Sequence, residues 1–331
     1  MSKNSLAVKE QPLISFVLLA YNQEAFIREA VQSALEQTYQ PLEIILSDDF
    51  SKDDTFEIIK NMAASYSGPH RLKINRNSKN LGIGTHVNEL MKLVEGDVIV
   101  VAGGDDISLP NRVQEIAREF SRLSPKPYSV WSSAMYIDAA GKAISQKFPL
   151  PAQNLTDEIM MKNTYPVIGA THAWSKEVFD VFGPLLPSVV FEDNAISYRS
   201  YLLGGISFIN KDLVSYRRHG DNVTNFLKTT NHVSLYARGA SRIDGALVGV
   251  KQRKEDLDTA IDIGLIDKQR ADIMYQMLDR LNNRLKFRYE AFSTFPNISC
   301  KFLFGSMFDF SIAKFYVRSV VHLMFRRSGV K

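Results

Sequence analysis

The 331-residue sequence predicts an α/β protein built on a doubly wound, mainly parallel sheet flanked by helices, with a helical extension at its C-terminus. Three observations lead to this fold class. Short apolar runs rich in β-branched residues alternate with segments of helical periodicity in the first half of the chain. The runs are almost uninterrupted, as expected for parallel strands buried on both faces. Their strand–helix–strand spacing implies right-handed crossovers.

The elements of the first half follow from local patterns. Asn22 is expected to cap a helix that starts near Gln23, because its side chain can accept from free backbone N–H groups. Ser51 and Asp54 resemble a capping box at the start of a second helix. The expected order is strand 13–19, helix from 23, strand 42–46, helix to 62, strand 72–74, helix 85–94 and strand 98–102.

The second half has a different pattern. From residue 128 onward, short apolar segments alternate with loops rich in proline and glycine, which predicts a mixed sheet. After about residue 231 the chain has long charged and apolar stretches typical of helices. We therefore expect an α/β domain at 1–230 and a helical region at 231–331.

Composition and charge exclude several classes of protein. The net charge is +4, but residues 301–331 hold six Lys and Arg residues against one Asp. No basic stripe crosses the rest of the chain, so a nucleic-acid partner is not expected. The single cysteine, Cys300, excludes an intramolecular disulfide framework and suits a reducing compartment. The polar first dozen residues lack the apolar core of a signal peptide, and we expect a cytoplasmic protein.

The basic tail predicts an amphipathic helix. If residues 311–326 are helical, Lys314, Arg318, His322 and Arg326 form one stripe beside an apolar arc. Such a helix can lie on an anionic membrane surface, although its charges recur too often for it to span one. We expect peripheral contact at the cytoplasmic face of the membrane, and packing of the helix on the α/β domain is the alternative.

Two of the apolar runs end in adjacent aspartates. Asp48 and Asp49 follow one run, and Asp105 and Asp106 follow another. Unpaired charges are costly inside such strands, but they fit at the carboxyl edge of an open α/β sheet, where ligands bind. Four acids at one edge require a cation, hydrogen-bond donors or a ligand among them. The alternative is that each pair lies in a solvated turn that caps the next helix.

Two common nucleotide-binding motifs are absent. No GxGxxG follows the first strand, where the turn is Ala20-Tyr21-Asn22, so a nicotinamide-dependent enzyme is not expected. No GxxxxGK[ST] phosphate loop occurs either.

The chain resembles the family-2 glycosyltransferases, which have a GT-A fold. In that family, a strand ending in YN is followed by a helix ending in S-hydrophobic-x-Q-[ST]-[YF] and a strand ending in DD-x-S-x-D. A later stretch has the acids followed by P-x-R. The matching residues here are Tyr21-Asn22, the run from Ser33 to Tyr39, the run from Asp48 to Asp53, and Asp105, Asp106, Pro110 and Arg112.

Two further segments extend the resemblance to roughly residues 12–225. One resembles the acceptor-side segment that ends in an ED pair, here Glu192-Asp193. The other resembles the element YRxHxxNxT/S and includes His219. The sequence departs from the family at Gly103, which stands where the first aspartate of a DxDD metal motif would fall.

The resemblance implies roles for individual residues. The nucleotide of the donor is expected to contact the end of the strand at 13–19 and the acids that follow the strands at 42–46 and 98–102. A divalent cation, Mn²⁺ or Mg²⁺, would stabilise the diphosphate leaving group. Asp193 is expected to be the general base that takes a proton from the acceptor hydroxyl. The implied residues are Leu19, Ala20, Tyr21, Asp48, Asp49 and Asp105 for the nucleotide; Asp106, Asp105 and His219 for the metal; and Glu192, Trp174 and His172 on the acceptor side.

Alternatives remain at this stage. His219 could be structural, Trp174 could be a core residue rather than a platform for a sugar ring, and Arg217 or Arg218 could meet phosphate.

The leading function is inverting transfer from a nucleoside-diphosphate sugar, expected to be a UDP-sugar, to a glycan or lipid-linked acceptor in polysaccharide synthesis. A sugar nucleotidyltransferase and a non-catalytic nucleotide- or carbohydrate-binding protein are the other two hypotheses.

Overall fold

The computed structural model describes residues 11–151, 155–161, 167–219 and 232–293. Its strands are β1 Ile14–Ala20, β2 Leu42–Asp48, β3 Arg71–Arg76, β4 Val98–Gly103, β5 Ile107–Ser108, β6 Ser129–Ile137, β7 His172–Ser175 and β8 Ile206–Arg217. Its helices are α1 Ile27–Leu35, α2 Thr55–Ala64, α3 Ile83–Met91, α4 Arg112–Arg122, α5 Asp157–Met161, α6 Glu177–Phe182, α7 Glu192–Leu203, α8 His232–Asp262 and α9 Lys268–Ser293, with a 3₁₀ turn at Gly169–Thr171.

Within the described residues, the strands form one sheet in the order β3-β2-β1-β4-β7-β6-β8-β5. The first four are parallel, whereas β7 is antiparallel to both β4 and β6. This confirms the predicted α/β class and the mixed second half. The chain moves outward from β1 to β3 and then returns to β4 on the other side of β1. That reversal creates a crevice at the carboxyl ends of β1 and β4.

Alternate side chains of β1 pack on the two faces of the sheet. Phe16 and Leu18 lie in a core with residues of α1 and α4. Val17 and Leu19 lie in a second core with residues of α3 and α7. Burial on both faces explains why the apolar runs show no alternation with polar residues.

A third core joins the far end of the sheet to the C-terminal helices. Trp131 of β6 and Tyr198 of α7 belong to the same buried cluster as Leu257 of α8 and Leu278 of α9. The expected helical region therefore packs on the α/β part. The proposed boundary near residue 230 and the basic tail at 301–331 lie outside the described residues.

Both predicted helix caps are wrong in the same way. Helix α1 starts at Ile27 with Phe26 before it, and α2 starts at Thr55 without a side-chain cap. Asn22 instead accepts a hydrogen bond from the Lys52 N–H at 2.9 Å. Ser51 Oγ accepts from the Asn22 N–H at 2.8 Å and donates to Asp48. These polar side chains hold the loops after β1 and β2 together instead of capping helices.

No described helix combines the length and the apolar character required to cross a bilayer.

Candidate active site

The carboxyl ends of β1, β2 and β4 form the crevice, and backbone hydrogen bonds hold them together. In the parallel register, Ala20 lies opposite Asp48 and Leu19 lies opposite Gly103. The chain beyond each strand is also fixed, because the Asp49 N–H donates to Ala20 O at 2.9 Å and the Gly104 N–H donates to Leu19 O at 2.8 Å. Strand order thus brings the two predicted aspartate pairs to one edge.

Asp48 shapes the turn that follows β2. Its buried carboxylate accepts from the N–H and the hydroxyl of Ser51 and lies 3.5 Å from Arg76 Nε. The turn places Phe50 at a positive φ of 66°, a backbone conformation that is uncommon for a residue with a side chain. Asp48 therefore holds the loop that presents Asp49.

Asp49 is held by three donors from one neighbouring segment. Its Oδ1 accepts from Asn77 Nδ2 at 2.8 Å and from the Leu81 N–H at 2.9 Å, and its Oδ2 accepts from the Gly82 N–H at 3.0 Å. The residue is 4% exposed. A carboxylate has about four acceptor sites, so one direction remains for a ligand.

A buried histidine lies behind these acids. His86 Nε2 is 2.6 Å from Ser47 Oγ, which also accepts from Asn75 Nδ2 at 2.9 Å. Burial lowers the pKa of His86, although the charges of Asp49 and Asp48 oppose this effect. Neither His86 nor Asn77 lies in a recognised motif, so sequence reasoning missed both residues.

Asp105 and His219 meet at the other end of the crevice. Asp105 Oδ2 is 2.9 Å from His219 Nε2, and the two side chains are 14% and 10% exposed. The imidazole also packs on the Phe26 ring with centroids 4.6 Å apart. The structure thus brings together two of the three predicted metal-binding residues.

The third, Asp106, is turned into the protein, and its metal role stays a prediction. It is 4% exposed, and its Oδ1 accepts from the Arg217 N–H at 2.7 Å. Burial and the Asp105 charge raise its pKa well above the ordinary value. The charge of Asp106 in turn acts on Arg112, whose pKa is lowered to about 9 by burial. Among the described residues, no group of three His, Cys, Asp or Glu side chains has a metal-binding arrangement.

The carboxylates of Asp105 and Asp106 occupy the space that a side chain at residue 103 would need. A Cβ at residue 103 would lie 2.9 Å from Asp105 Oδ1 and 3.0 Å from Asp106 Oδ2. Both distances are shorter than van der Waals contact allows. An aspartate at position 103, as in the DxDD motif, would therefore have to displace the carboxylates of Asp105 and Asp106.

Arg217 fastens the loops around Asp105 and is not placed to meet phosphate. Its guanidinium donates to Asp105 O at 2.9 Å, to Ala139 O at 3.1 Å and to the Glu29 carboxylate. Arg218 donates to Gln146 Oε1 at 2.7 Å and lies 4.5 Å from the centre of the Tyr136 ring. The predicted phosphate role of Arg217 is therefore wrong, because that side chain is buried and fully engaged in holding loops.

The acidic pair Glu192-Asp193 opens α7. Burial and the Asp193 charge raise the pKa of Glu192 to about 8. Burial also raises the pKa of Asp193 to about 6, although hydrogen bonds from the Asn194 and Gly169 N–H groups and the charge of Arg253 oppose it. Both carboxyls are therefore suited to exchange protons near neutral pH.

Sheet register places this pair near the aspartate edge. Strand β7 is antiparallel to β4, with Ala173 opposite Val100, so residues just before β7 lie level with the end of β4. Gly169 is one of these residues, and a Cβ on it would lie 2.8 Å from Glu192 Oε1. The 3₁₀ turn thus joins the two groups of acids.

His172 and Trp174 lie in the core and not on an acceptor surface. They are 0% and 2% exposed, and their rings are 5.5 Å apart within β7. Trp174 also contacts Phe179, with ring centroids 6.3 Å apart. The predicted sugar platform is wrong, because neither ring has a face open to a ligand.

Comparison with known proteins agrees with this architecture. The family described as glycosyl transferase family 2 matches residues 15–179. The chondroitin synthase of Escherichia coli is 28% identical over 259 residues, covering 76% of this chain and 35% of that protein. The putative glycosyltransferase EpsE of Bacillus subtilis is 36% identical over 104 residues, covering 31% of this chain and 37% of that protein. The chain thus spans about a third of the length of these relatives.

Solved structures show the same fold. The mannosyltransferase PcManGT from Pyrobaculum calidifontis, in complex with GDP-Man and Mn²⁺, has a TM-score of 0.52 at 13% identity and covers 96% of this chain and 81% of its own. S. aureus TarS 1–349, in complex with UDP-GlcNAc, has a TM-score of 0.51 at 14% identity, with coverage of 85% and 91%. The parallel first half of the sheet, the mixed second half and the family match agree, and the chain belongs to glycosyl transferase family 2 with a GT-A fold.

Proposed function

We propose that this protein transfers a sugar from a nucleoside-diphosphate sugar to an acceptor hydroxyl with inversion at the anomeric carbon. One observation carries the proposal. The sheet edge holds one set of acids fixed by hydrogen-bond donors and a second pair whose pKa values are raised toward neutrality. The first set suits recognition of a ligand, and the second suits proton transfer.

The donor nucleotide is assigned to the β1–β2 end of the crevice. Asp49 has one acceptor direction left for a base N–H, and Asp48 fixes the loop that carries it. Backbone groups of Leu19 and Ala20 and the exposed ring of Tyr21 line the same end. The complexes of TarS with UDP-GlcNAc and of PcManGT with GDP-Man support a nucleotide-sugar donor, and we expect a UDP-sugar here.

A divalent cation fits beside the diphosphate. Asp105 and His219 offer one carboxylate and one imidazole at the same point, and substrate phosphates commonly complete such a shell. The Mn²⁺ in PcManGT and in GalNAc-T7 supports this assignment. When bound, Mn²⁺ or Mg²⁺ would stabilise the negative charge that develops on the leaving diphosphate.

Asp193 is assigned as the general base. Its Oδ1 accepts from the Asn194 N–H at 2.8 Å, and we assign the carboxylate to the proton of the acceptor hydroxyl. A carboxyl with a pKa near 6 is mostly ionised at pH 7 and is a stronger base than an ordinary aspartate. Attack opposite the leaving group in one step inverts the anomeric centre.

The acceptor is proposed to be a growing glycan or a lipid-linked sugar. The similarity to chondroitin synthase and TarS supports a role in polysaccharide assembly. We expect the enzyme in the cytoplasm or at the cytoplasmic face of the membrane. Residues 1–230 would be the transferase domain, residues 231–331 a helical region, and the basic tail of that region the membrane contact.

Calorimetry with the full chain tests the donor assignment. UDP-sugars and GDP-sugars are titrated with and without Mn²⁺, and tight binding that requires the metal is expected for one base. Transfer products are then analysed by NMR for the anomeric configuration. Absence of binding to every nucleotide, retention of configuration, or release of pyrophosphate from a nucleoside triphosphate would each contradict the proposal.

A further inference from the structure

The turn that precedes α7 has an unusual backbone. At residues 186–189, the Val189 N–H donates to Leu186 O at 3.2 Å, and Ser188 has a positive φ of 72°. A turn that needs a positive φ at its third residue favours glycine there, because a side chain strains the backbone. Such strain persists only where surrounding contacts hold it. The turn ends three residues before α7, so the contacts that hold it also fix the start of that helix.

Helix α3 holds this turn at both ends. Asn88 Oδ1 accepts from the Leu185 N–H at 2.8 Å, and Asn88 Nδ2 donates to Leu185 O at 2.8 Å. At the other end, the Gly84 N–H donates to Val189 O at 3.1 Å. A Cβ on Gly84 would lie 2.5 Å from that same oxygen, so only glycine permits so close an approach. Gly84 and Asn88 are four residues apart, which places both on the face of α3 that meets the turn.

The first turn of α3 reaches Asp49 at its other end. The N–H groups of Leu81 and Gly82, which lie just before the helix, donate to the Asp49 carboxylate at 2.9 Å and 3.0 Å. The His86 N–H donates in turn to Gly82 O at 2.9 Å, so these donors are joined to the helix. One helix of nine residues therefore contacts both the acid assigned to the nucleotide and the turn before the acidic pair.

Apolar packing also joins α3 to α7. Val87 and Leu90 of α3 belong to the same buried cluster as Leu185, Val189 and Ile196, the last of which lies on α7. Each of these side chains is 2% exposed or less. Close-packed side chains transmit a displacement instead of absorbing it. A change at the start of α3 is therefore expected to reach the turn and α7.

We propose that α3 couples the nucleotide site to the proposed base, and that Asn88 is the positioning residue that transmits the coupling. The inference rests on the proposed function, which assigns the nucleotide to Asp49 and the base role to Asp193. A nucleotide bound to the Asp49 carboxylate restrains the donors of that carboxylate at the start of α3. Through Asn88, the helix then steadies the strained turn, and α7 presents Asp193 in one position. Ordering that the nucleotide has already completed need not be repeated when the acceptor binds.

Asn88→Ala tests the positioning role, with Glu89→Ala as the matched control on the same helix. The Glu89 side chain is 40% exposed and pairs with Lys92 at 2.8 Å, and surface pairs of this kind contribute little. For Asn88→Ala we expect kcat for transfer to fall about tenfold, because the base is misplaced. The Kd of the donor should change less than about twofold. Glu89→Ala should match wild type in both, and an unchanged kcat in Asn88→Ala, or an equal loss of donor binding and transfer, would overturn the inference.

Amide hydrogen exchange gives a readout that needs no transfer. The full chain is compared with and without UDP or GDP in the presence of Mn²⁺. In wild type, the nucleotide should slow exchange about fivefold or more both at 77–82, beside Asp49, and at 185–191. Asn88→Ala should keep the effect at 77–82 and lose it at 185–191. Gln252→Met, which removes the α8 contact to the Leu186 N–H at 2.6 Å, should loosen the turn without removing the effect of the nucleotide.

The outcomes separate this inference from the proposed function. Binding of the nucleotide with protection at 77–82 alone, or with equal protection at 185–191 in wild type and Asn88→Ala, would overturn the inference. If neither nucleotide binds, the proposed function fails and the inference fails with it. If Asn88→Ala does not fold, Asn88→Asp decides, because it keeps an acceptor for the Leu185 N–H and lacks the donor to Leu185 O. Protection at 185–191 must then be weaker than in wild type.

Discussion

The acids on the two halves of this sheet have opposite environments. Asp49 on the parallel half accepts three hydrogen bonds from Asn77, Leu81 and Gly82. Within the described part of the chain, Asp193 on the mixed half accepts from backbone N–H groups alone, those of Asn194, Gly169 and Asp193 itself, and burial raises its pKa to about 6. We therefore propose recognition of a ligand for the aspartate on one half and proton transfer for the aspartate on the other. The comparison shows that neighbouring groups decide what an aspartate does, even within one crevice.

The largest expected effect comes from removing the proton acceptor. Asp193→Asn should lower the rate of transfer by about a thousandfold, because an amide cannot take the hydroxyl proton. Donor affinity, measured by calorimetry, should remain. Glu192→Gln is the matched control, since Glu192 has a pKa of about 8 and is already mostly neutral at pH 7. Similar losses in both variants would refute the contrast between these two neighbours.

A second large effect is expected on the recognition half. Asp49→Ala leaves the Asn77, Leu81 and Gly82 donors without their acceptor, and nucleotide affinity should fall about tenfold to a hundredfold. The transfer rate at saturating donor should change much less. Asp54→Asn, an exposed acid in the same loop, serves as the control for charge alone. A reduced saturated rate with normal affinity would contradict the assigned recognition role.

A smaller effect on donor affinity is expected from a substitution at the end of β4, where the parallel and the mixed halves of the sheet meet. Gly103→Ala places a methyl group within 3.0 Å of the Asp105 and Asp106 carboxyls, so Asp105 must move away from His219. We expect metal-dependent donor affinity to weaken several-fold. Metal-independent nucleotide binding should persist, since Asp49 is untouched. Gly249→Ala, at a helical position with open space around its Cβ, controls for loss of glycine. Equal donor affinity in Gly103→Ala and wild type would show that Asp105 does not contribute to the metal site.

The smallest effect concerns stability. The folded-state pKa of Glu192 is about 8, above its ordinary value, so the folded protein holds a proton that the unfolded chain releases. The stability that this retained proton contributes is fully present below the ordinary pKa of a glutamate and is lost as the pH rises through 8. Glu192→Gln removes the titration, and its Tm should fall less than that of wild type between pH 5 and pH 8. Parallel Tm curves would show that Glu192 titrates normally.

The sequence predicted the elements that depend on local pattern and missed those that depend on long-range packing. The buried strands and the positions of Asp48, Asp105 and Glu192 follow from hydrophobic runs and motif spacing. The sequence could not show that Asp106 turns inward, because only contacts with distant residues such as Arg217 distinguish it from the adjacent Asp105.

The caps at Asn22 and Ser51 show a second limit. Both residues are favourable caps by propensity, but each instead found a partner in the other loop. Tertiary contacts outweighed local preference at the point where two loops must line one site.

Arg217 has a consequence for recombining family members. Its N–H donates to Asp106, and its guanidinium donates to the Asp105 carbonyl, to Glu29 on α1 and to the carbonyls at 138–139. One residue at the end of β8 therefore connects the parallel and the mixed halves of the sheet. A chimera that joins the parallel half of one family member to the mixed half of another would divide this set of contacts. Such hybrids should assemble only when Arg217, Glu29 and Asp106 come from the same parent or are matched across the junction.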